Sequence, residues 1–126
     1  MLLFVYGTLL RGEDNAPRIA HLPFVGDDST QAAFTLVNLG PYPGLVKGGG
    51  TAVKGELYDI QKEHLPALDE FEEHPHLYRR DTLLLASGRR AVTYFLNEQH
   101  ARGAFVIPHG NWRLRSGNMD CADDGG

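Results

Sequence analysis

Turn-forming residues interrupt this chain so often that no long helix can be built from it. Fifteen glycines and seven prolines are spread along the 126 residues rather than gathered in one linker, and that spacing predicts short strands joined by turns. The longest apolar run, residues 2–6, is cut off by Gly7. So short a run reads as a strand buried on both faces, and it falls well below the roughly 20 apolar residues with which a helix crosses a membrane. It also lacks the positively charged start of a secretory signal, so a cytoplasmic protein with no membrane partner is expected.

Residues 34–37, 45–46, 51–60 and 105–107 predict further strands, and residues 78–86 and 91–97 predict a hairpin around Ser87-Gly88-Arg89. In strand 51–60, Val53, Gly55 and Leu57 would share one face and Lys54, Glu56 and Tyr58 the other. Residues 62–73 are the best helix candidate, and residues 15–22 predict a short one with Pro17 in its first turn. Strands with one or two short helices imply an α+β fold, a small mixed β-barrel. Residues 1–115 form one domain; residues 116–126, almost without apolar side chains, read as a mobile tail.

Composition narrows the partner. A hydrophobic fraction of 42% with 22% charged residues is that of a globular domain. The 16 acidic residues outnumber the 12 Lys and Arg, for a net charge of −4, which argues against nucleic-acid binding through phosphates. Cys121 stands alone, so no internal disulfide is expected. A monomer that takes a small molecule fits these constraints.

The acidic segment Asp69-Glu70-Phe71-Glu72-Glu73 would ordinarily be a solvated face. On a helical wheel, however, Glu72 falls about 40° from the apolar direction set by Leu65, Leu68 and Phe71. Asp69, Glu70 and Glu73 lie about 100°, about 160° and about 140° away and can face water. A carboxyl on the buried side loses hydration, which raises its pKa toward the range a general base needs. The plainer alternative is that Glu72 ends the helix and pairs with Arg79 or Arg80. A second pointer is Tyr6-Gly7-Thr8-Leu9, a strand that breaks so that successive N–H groups can face an anion. Glycine at 7 would permit positive φ and a close ligand approach, or simply turn the chain.

Other patterns carry less. His74 and His76 have a two-ligand spacing, but Pro75 lies between them and no third ligand is evident, so no metal is expected. Lys47-Gly48-Gly49-Gly50-Thr51 has its lysine on the wrong side of the glycines for a phosphate loop. Cys121 lies among Asp120, Asp123 and Asp124, whose charges disfavour a thiolate nucleophile.

Tyr6-Gly7-Thr8-Leu9, Leu68-Asp69-Glu70-Phe71-Glu72, and Pro75 with Leu77-Tyr78-Arg79-Arg80 together resemble the γ-glutamylcyclotransferase-like (AIG2-like) proteins, most closely the γ-glutamylamine cyclotransferase branch. Arg11-Gly12, Pro41-Tyr42-Pro43 and Gly55-Glu56-Leu57-Tyr58 fit the same pattern, so the resemblance spans about residues 1–115. It implies a small mixed barrel that releases 5-oxoproline from a γ-glutamyl amine or peptide without a cofactor. It makes Glu72 the catalytic acid/base, with Tyr6, Gly7, Thr8, Leu9 and Tyr78 lining the substrate site. One departure stands out: family members often carry Gly-Asp-Trp-x-x-Tyr late in the chain, whereas here the stretch is Gly110-Asn111-Trp112-Arg113-Leu114-Arg115. A missing late tyrosine implies a different substrate or a weaker activity if that ring helps close the pocket. A binding module using the same pocket without turnover is the alternative reading.

Overall fold

In the computed structural model, which describes residues 1–115, eight strands form one mixed sheet that curls into a half-barrel. They are β1 (Leu2–Val5), β2 (Phe24–Ser29), β3 (Phe34–Asn38), β4 (Pro43–Lys47), β5 (Lys54–Asp59), β6 (Tyr78–Leu84), β7 (Arg90–Leu96) and β8 (Phe105–Val106). The helices are α1 (Leu65–Phe71) and α2 (Glu98–Ala101), with 3₁₀ turns at Ala16–Arg18, Lys62–His64 and Trp112–Leu114. The tail expected at 116–126, with Cys121, lies outside the described residues. No helix among them is long and apolar enough to cross a membrane.

Strand β1 runs through the centre of the sheet, antiparallel to β5 and parallel to β7. Its burial on both faces explains its unbroken apolar sequence. The β6–β7 hairpin is paired in register from Tyr78↔Leu96 to Leu84↔Arg90. One edge of β7 is thus fully taken by β6. The other edge meets β1 at Leu3↔Val92 and then β4 at Leu45↔Phe95, so β1 and β4 share it in succession. Between those two points the sheet splits, and the chain leaving β1 turns away above Thr93 and Tyr94. Crevices for ligands characteristically open where neighbouring strands part in this way.

One local expectation is corrected and one strand is added. Residues 15–22 form only the 3₁₀ turn Ala16–Arg18. The strand β2 was not expected, since Gly26, Asp27 and Asp28 are poor strand formers; it forms because β5 supplies the ladder, with a register shift between Phe24 and Gly26. Both faces of β5 are covered, since Glu56 and Tyr58 are buried as well as Leu57 on the opposite face. Glu56 is neutralised there by Arg11 (Nε–Oε2 3.2 Å) and Arg113 (Nη2–Oε2 2.9 Å) and accepts the Arg11 N–H at 2.9 Å. Those two contacts tie the first loop and the last turn to the middle of the sheet. Desolvation pushes the Glu56 carboxyl up, but these hydrogen bonds and the Arg113 charge outweigh it and hold it below the usual carboxylate range.

Candidate active site

A cavity of about 460 Å³ opens at the split in the sheet. The turn after β1 and the end of α1 form its walls, the Pro41-Tyr42-Pro43 segment and Tyr78 close another side, and Thr93 and Tyr94 lie at its base. Tyr6, Gly7, Thr8, Leu9, Glu72 and Tyr78 all line it, so positions up to 72 residues apart in sequence share one small space.

The turn is built by the main chain. The Leu10 N–H donates to the Gly7 carbonyl at 3.0 Å and the Asn15 N–H to the Thr8 carbonyl at 2.9 Å. Such a turn does not use the N–H groups of its two central residues, and those of Gly7, Thr8 and Leu9 have no acceptor among the described residues. Gly7 serves this geometry differently from the sequence expectation. Its φ is not positive; what excludes a side chain is Pro43, whose ring carbons would lie 2.5 and 2.7 Å from an added Cβ. Glycine is needed here for close approach between the turn and β4.

Helix α1 is docked by Asp69, which was expected to face water. Its carboxylate instead accepts from Arg80 Nη1 at 2.5 Å and from the Tyr94 hydroxyl at 2.6 Å, fastening the helix to β6 and β7. Leu68 packs beneath it into the core. The helix ends with Glu73 N–H donating to the Glu70 carbonyl at 3.1 Å and His74 N–H to the Asp69 carbonyl at 2.9 Å, with Glu73 at φ 55°. That is the Schellman stop, in which the left-handed position usually belongs to glycine. Glu72 precedes it, its own N–H bonded to Leu68 at 2.9 Å, so the helix end and its stop together fix the direction of its side chain.

Glu72 does not pair with Arg79 or Arg80: Arg80 is held by Asp69, and the Glu72 carboxyl has no hydrogen-bond or ion-pair partner among the described residues. Desolvation with nothing to offset it raises its pKa to about 7. The surrounding phenols remain neutral. Burial, the Glu72 charge and other neighbouring groups push Tyr6 and Tyr78 far above the ordinary tyrosine range. Their hydrogens go to the main chain, from Tyr6 to the Tyr94 carbonyl at 2.7 Å and from Tyr78 to the Pro43 carbonyl. Tyr6 also accepts the Leu45 N–H at 3.1 Å, so its hydroxyl bridges the gap where β7 passes from β1 to β4.

Asp14, Asn15 and Glu73 complete the rim of the cavity and were not singled out from the sequence, because nothing local marks a rim. No group of three or more metal-ligating side chains occurs among the described residues, and His74 Nδ1 accepts the Arg80 N–H at 3.0 Å. At the position of the absent late tyrosine, Arg115 pairs with Glu13 at 3.2 Å and stacks on the buried Trp112; it is not part of the cavity wall.

A family model described as gamma-glutamyl cyclotransferase, AIG2-like, matches residues 3–114. A protein of Vibrio cholerae named as a candidate gamma-glutamylcyclotransferase is 40% identical over 114 residues, covering 90% of this chain and 96% of its own. The mouse gamma-glutamylaminecyclotransferase is 37% identical over 90 residues, 64% of this chain and 60% of the mouse protein. The crystal structure of a mouse AIG2-like protein superposes with a TM-score of 0.75 at 30% identity, covering 87% of this chain and 86% of that one. With the family pattern matched along almost the whole described chain and the same curled sheet beneath it, this protein belongs to the AIG2-like gamma-glutamylcyclotransferase family.

Proposed function

We propose that this chain is a γ-glutamylcyclotransferase acting on a γ-glutamyl amine or peptide, with Glu72 as general acid/base. The observation that carries the reading is that a carboxyl with a pKa of about 7, unpaired among the described residues, lines one cavity of about 460 Å³ together with residues 7–9, whose N–H groups have no acceptor among the described residues. The substrate's α-amine attacks its own γ-carbonyl carbon. A C–N bond forms to close the five-membered ring of 5-oxoproline, and the bond to the departing amine breaks. Glu72 takes one proton from the α-ammonium so that the amine can attack and passes it to the leaving nitrogen; the second proton, shed by the ring nitrogen as it becomes the lactam N–H, leaves with the departing amine as its ammonium, so Glu72 ends each turnover as it began.

The remaining work is positioning. Folding one flexible molecule into its ring-forming pose supplies about 7 to 11 kcal/mol of the barrier, and neither a metal nor a covalent nucleophile is needed to account for the step. The N–H groups of Gly7, Thr8 and Leu9 hold the substrate α-carboxylate or the developing oxyanion. The fixed phenols of Tyr6 and Tyr78 wall the cavity without competing as acids at neutral pH. The test is direct: purified protein incubated with γ-glutamyl amines and peptides should accumulate 5-oxoproline and free amine in equal amounts. Ligand-dependent thermal stabilisation with no product would favour a binding module instead.

A further inference from the structure

The long connection from β1 to β2, residues 6–23, has only the turn Ala16–Arg18 for regular structure, and a connection of that kind keeps one shape only where something fastens it. The core fastens its two ends, through the buried Leu9 and Leu10 on one side and Ile19 and Leu22 on the other. Between them none of residues 11–18 is buried. Yet this stretch carries Asp14 and Asn15 into the cavity wall, and the Asn15 N–H bond to the Thr8 carbonyl ties it to the turn at residues 7–9. The contacts that fill the gap come from the far end of the described chain. Arg113 Nη2 donates to the Arg11 carbonyl at 2.8 Å, while the Arg11 N–H donates to Glu56 at 2.9 Å. Two residues on, Glu13 pairs with Arg115 at 3.2 Å. Arg115 is itself braced, its Nη1 donating to the Trp112 carbonyl at 2.6 Å and its guanidinium lying 3.8 Å from the centroid of the buried Trp112 ring. With side chains only 20% and 26% exposed, Glu13 and Arg115 are unlike the loose surface ion pairs that contribute little. Neither Arg113 nor Arg115 lines the cavity.

A row of main-chain N–H groups binds an anion well only when it is held in advance, because an array that must first be ordered loses apparent affinity in proportion to the fraction of molecules in which it is formed. Resting on the cyclotransferase reading above, we propose that Arg113 and Arg115 are positioning residues that latch the β1–β2 connection from outside the cavity, so that the N–H groups of residues 7–9 stand ready for the substrate α-carboxylate. The path is short. Arg115 holds Glu13, Arg113 holds the Arg11 carbonyl, and the span so held returns through Asn15 to Thr8. Glu72 hangs from the end of α1, which none of these contacts touches. The α-carboxylate is present before, during and after ring closure, so the latch acts on substrate binding and leaves the chemical step in place.

Arg115→Met and Glu13→Gln remove the ion pair from either side, the methionine keeping apolar cover over Trp112. With 5-oxoproline release from a γ-glutamyl amine as the assay, each should raise KM about fivefold while kcat stays within about twofold. The double variant should be no worse than either single one, since the same interaction is lost. Arg113→Met should act in the same direction, and the acidic limb of the kcat–pH profile should not move in any of them. Binding of 5-oxoproline itself, which retains the α-carboxylate and needs no turnover, should weaken by the same factor in an NMR titration. Glu13→Gln alters one partly exposed side chain and keeps the test available should the changes in the last turn unsettle the fold. A merely structural pair would lower the melting temperature and leave KM and the affinity for 5-oxoproline where they were. That result, a fall in kcat at unchanged KM, or additive losses in the double variant would overturn this inference while leaving the cyclisation standing. No 5-oxoproline from the unaltered protein would overturn the underlying reaction, and the latch with it.

Discussion

Two carboxylates in this half-barrel have lost much of their hydration, and they are opposite in character. Glu56, 1% exposed, is surrounded by donors: two guanidinium groups and a main-chain N–H hold it ionised. Glu72, at the end of α1, is less deeply covered yet has none of these among the described residues, and its pKa rises to about 7. Burial alone therefore does not make a reactive acid. What matters is whether the lost hydration is replaced. Glu56 is answered by partners and serves the fold, joining segments 45 and 57 residues away. Glu72 is unanswered, and its proton is available for exchange near neutral pH.

The difference can be broken most sharply by Glu72→Gln. The amide is nearly isosteric but cannot take the proton, so steady-state 5-oxoproline formation should fall by about 10² to 10⁴-fold. A rate equal to that of the unaltered protein would remove Glu72 from the mechanism. The same substitution should stabilise the fold. A carboxyl whose pKa is raised from 4.5 to about 7 favours the folded state fully only below its unfolded value, and that contribution is lost as pH rises through about 7. Above about pH 8 the glutamine variant should therefore be more stable by roughly 2 to 3 kcal/mol, with the advantage vanishing near pH 4. Urea melts across that range measure it.

Glu56→Gln should do the reverse. Its folded pKa is depressed, so its contribution is present above the unfolded value and lost as pH falls through the folded one. At pH 7 the variant should lose about 2 kcal/mol, below the usual range for a broken buried pair because Arg11 and Arg113 remain 57% and 39% exposed. Arg113→Met removes one partner only and should cost about 1 kcal/mol at pH 7, while making stability less dependent on acid pH. Smallest of all, Glu70→Gln on the far side of α1 should change melting and turnover within about 0.5 kcal/mol. An essential Glu70 would mean that the helix is rotated from the phase seen here.

The legibility of the chain follows from how local each signal is. Strand β1, helix α1 and the β6–β7 hairpin were readable because apolar runs, helical period and a glycine turn act within a few residues. The wheel turned Glu72 toward the apolar side, and the residue lines the cavity from the C-cap position just past α1 (Leu65–Phe71). The strand β2 was unreadable because its sequence resists the state that β5 imposes on it. Asp69 was misjudged because its partners Arg80 and Tyr94 arrive from other strands. The Glu56 cluster is further still from any local window, and Gly7 was singled out for the wrong reason because Pro43 is 36 positions away.

The hydroxyl of Tyr6 has a final implication. By giving its hydrogen to Tyr94 and receiving that of Leu45, it makes the base of the cavity a continuation of the sheet's own hydrogen bonding. The floor is thus set when the chain folds and has little freedom to adapt to a visitor, whereas Asp14, Asn15 and Glu73 hang from loops above it. New substrate preferences should therefore be obtainable by diversifying the rim, while changes to the floor would be felt first as lost cooperativity in unfolding.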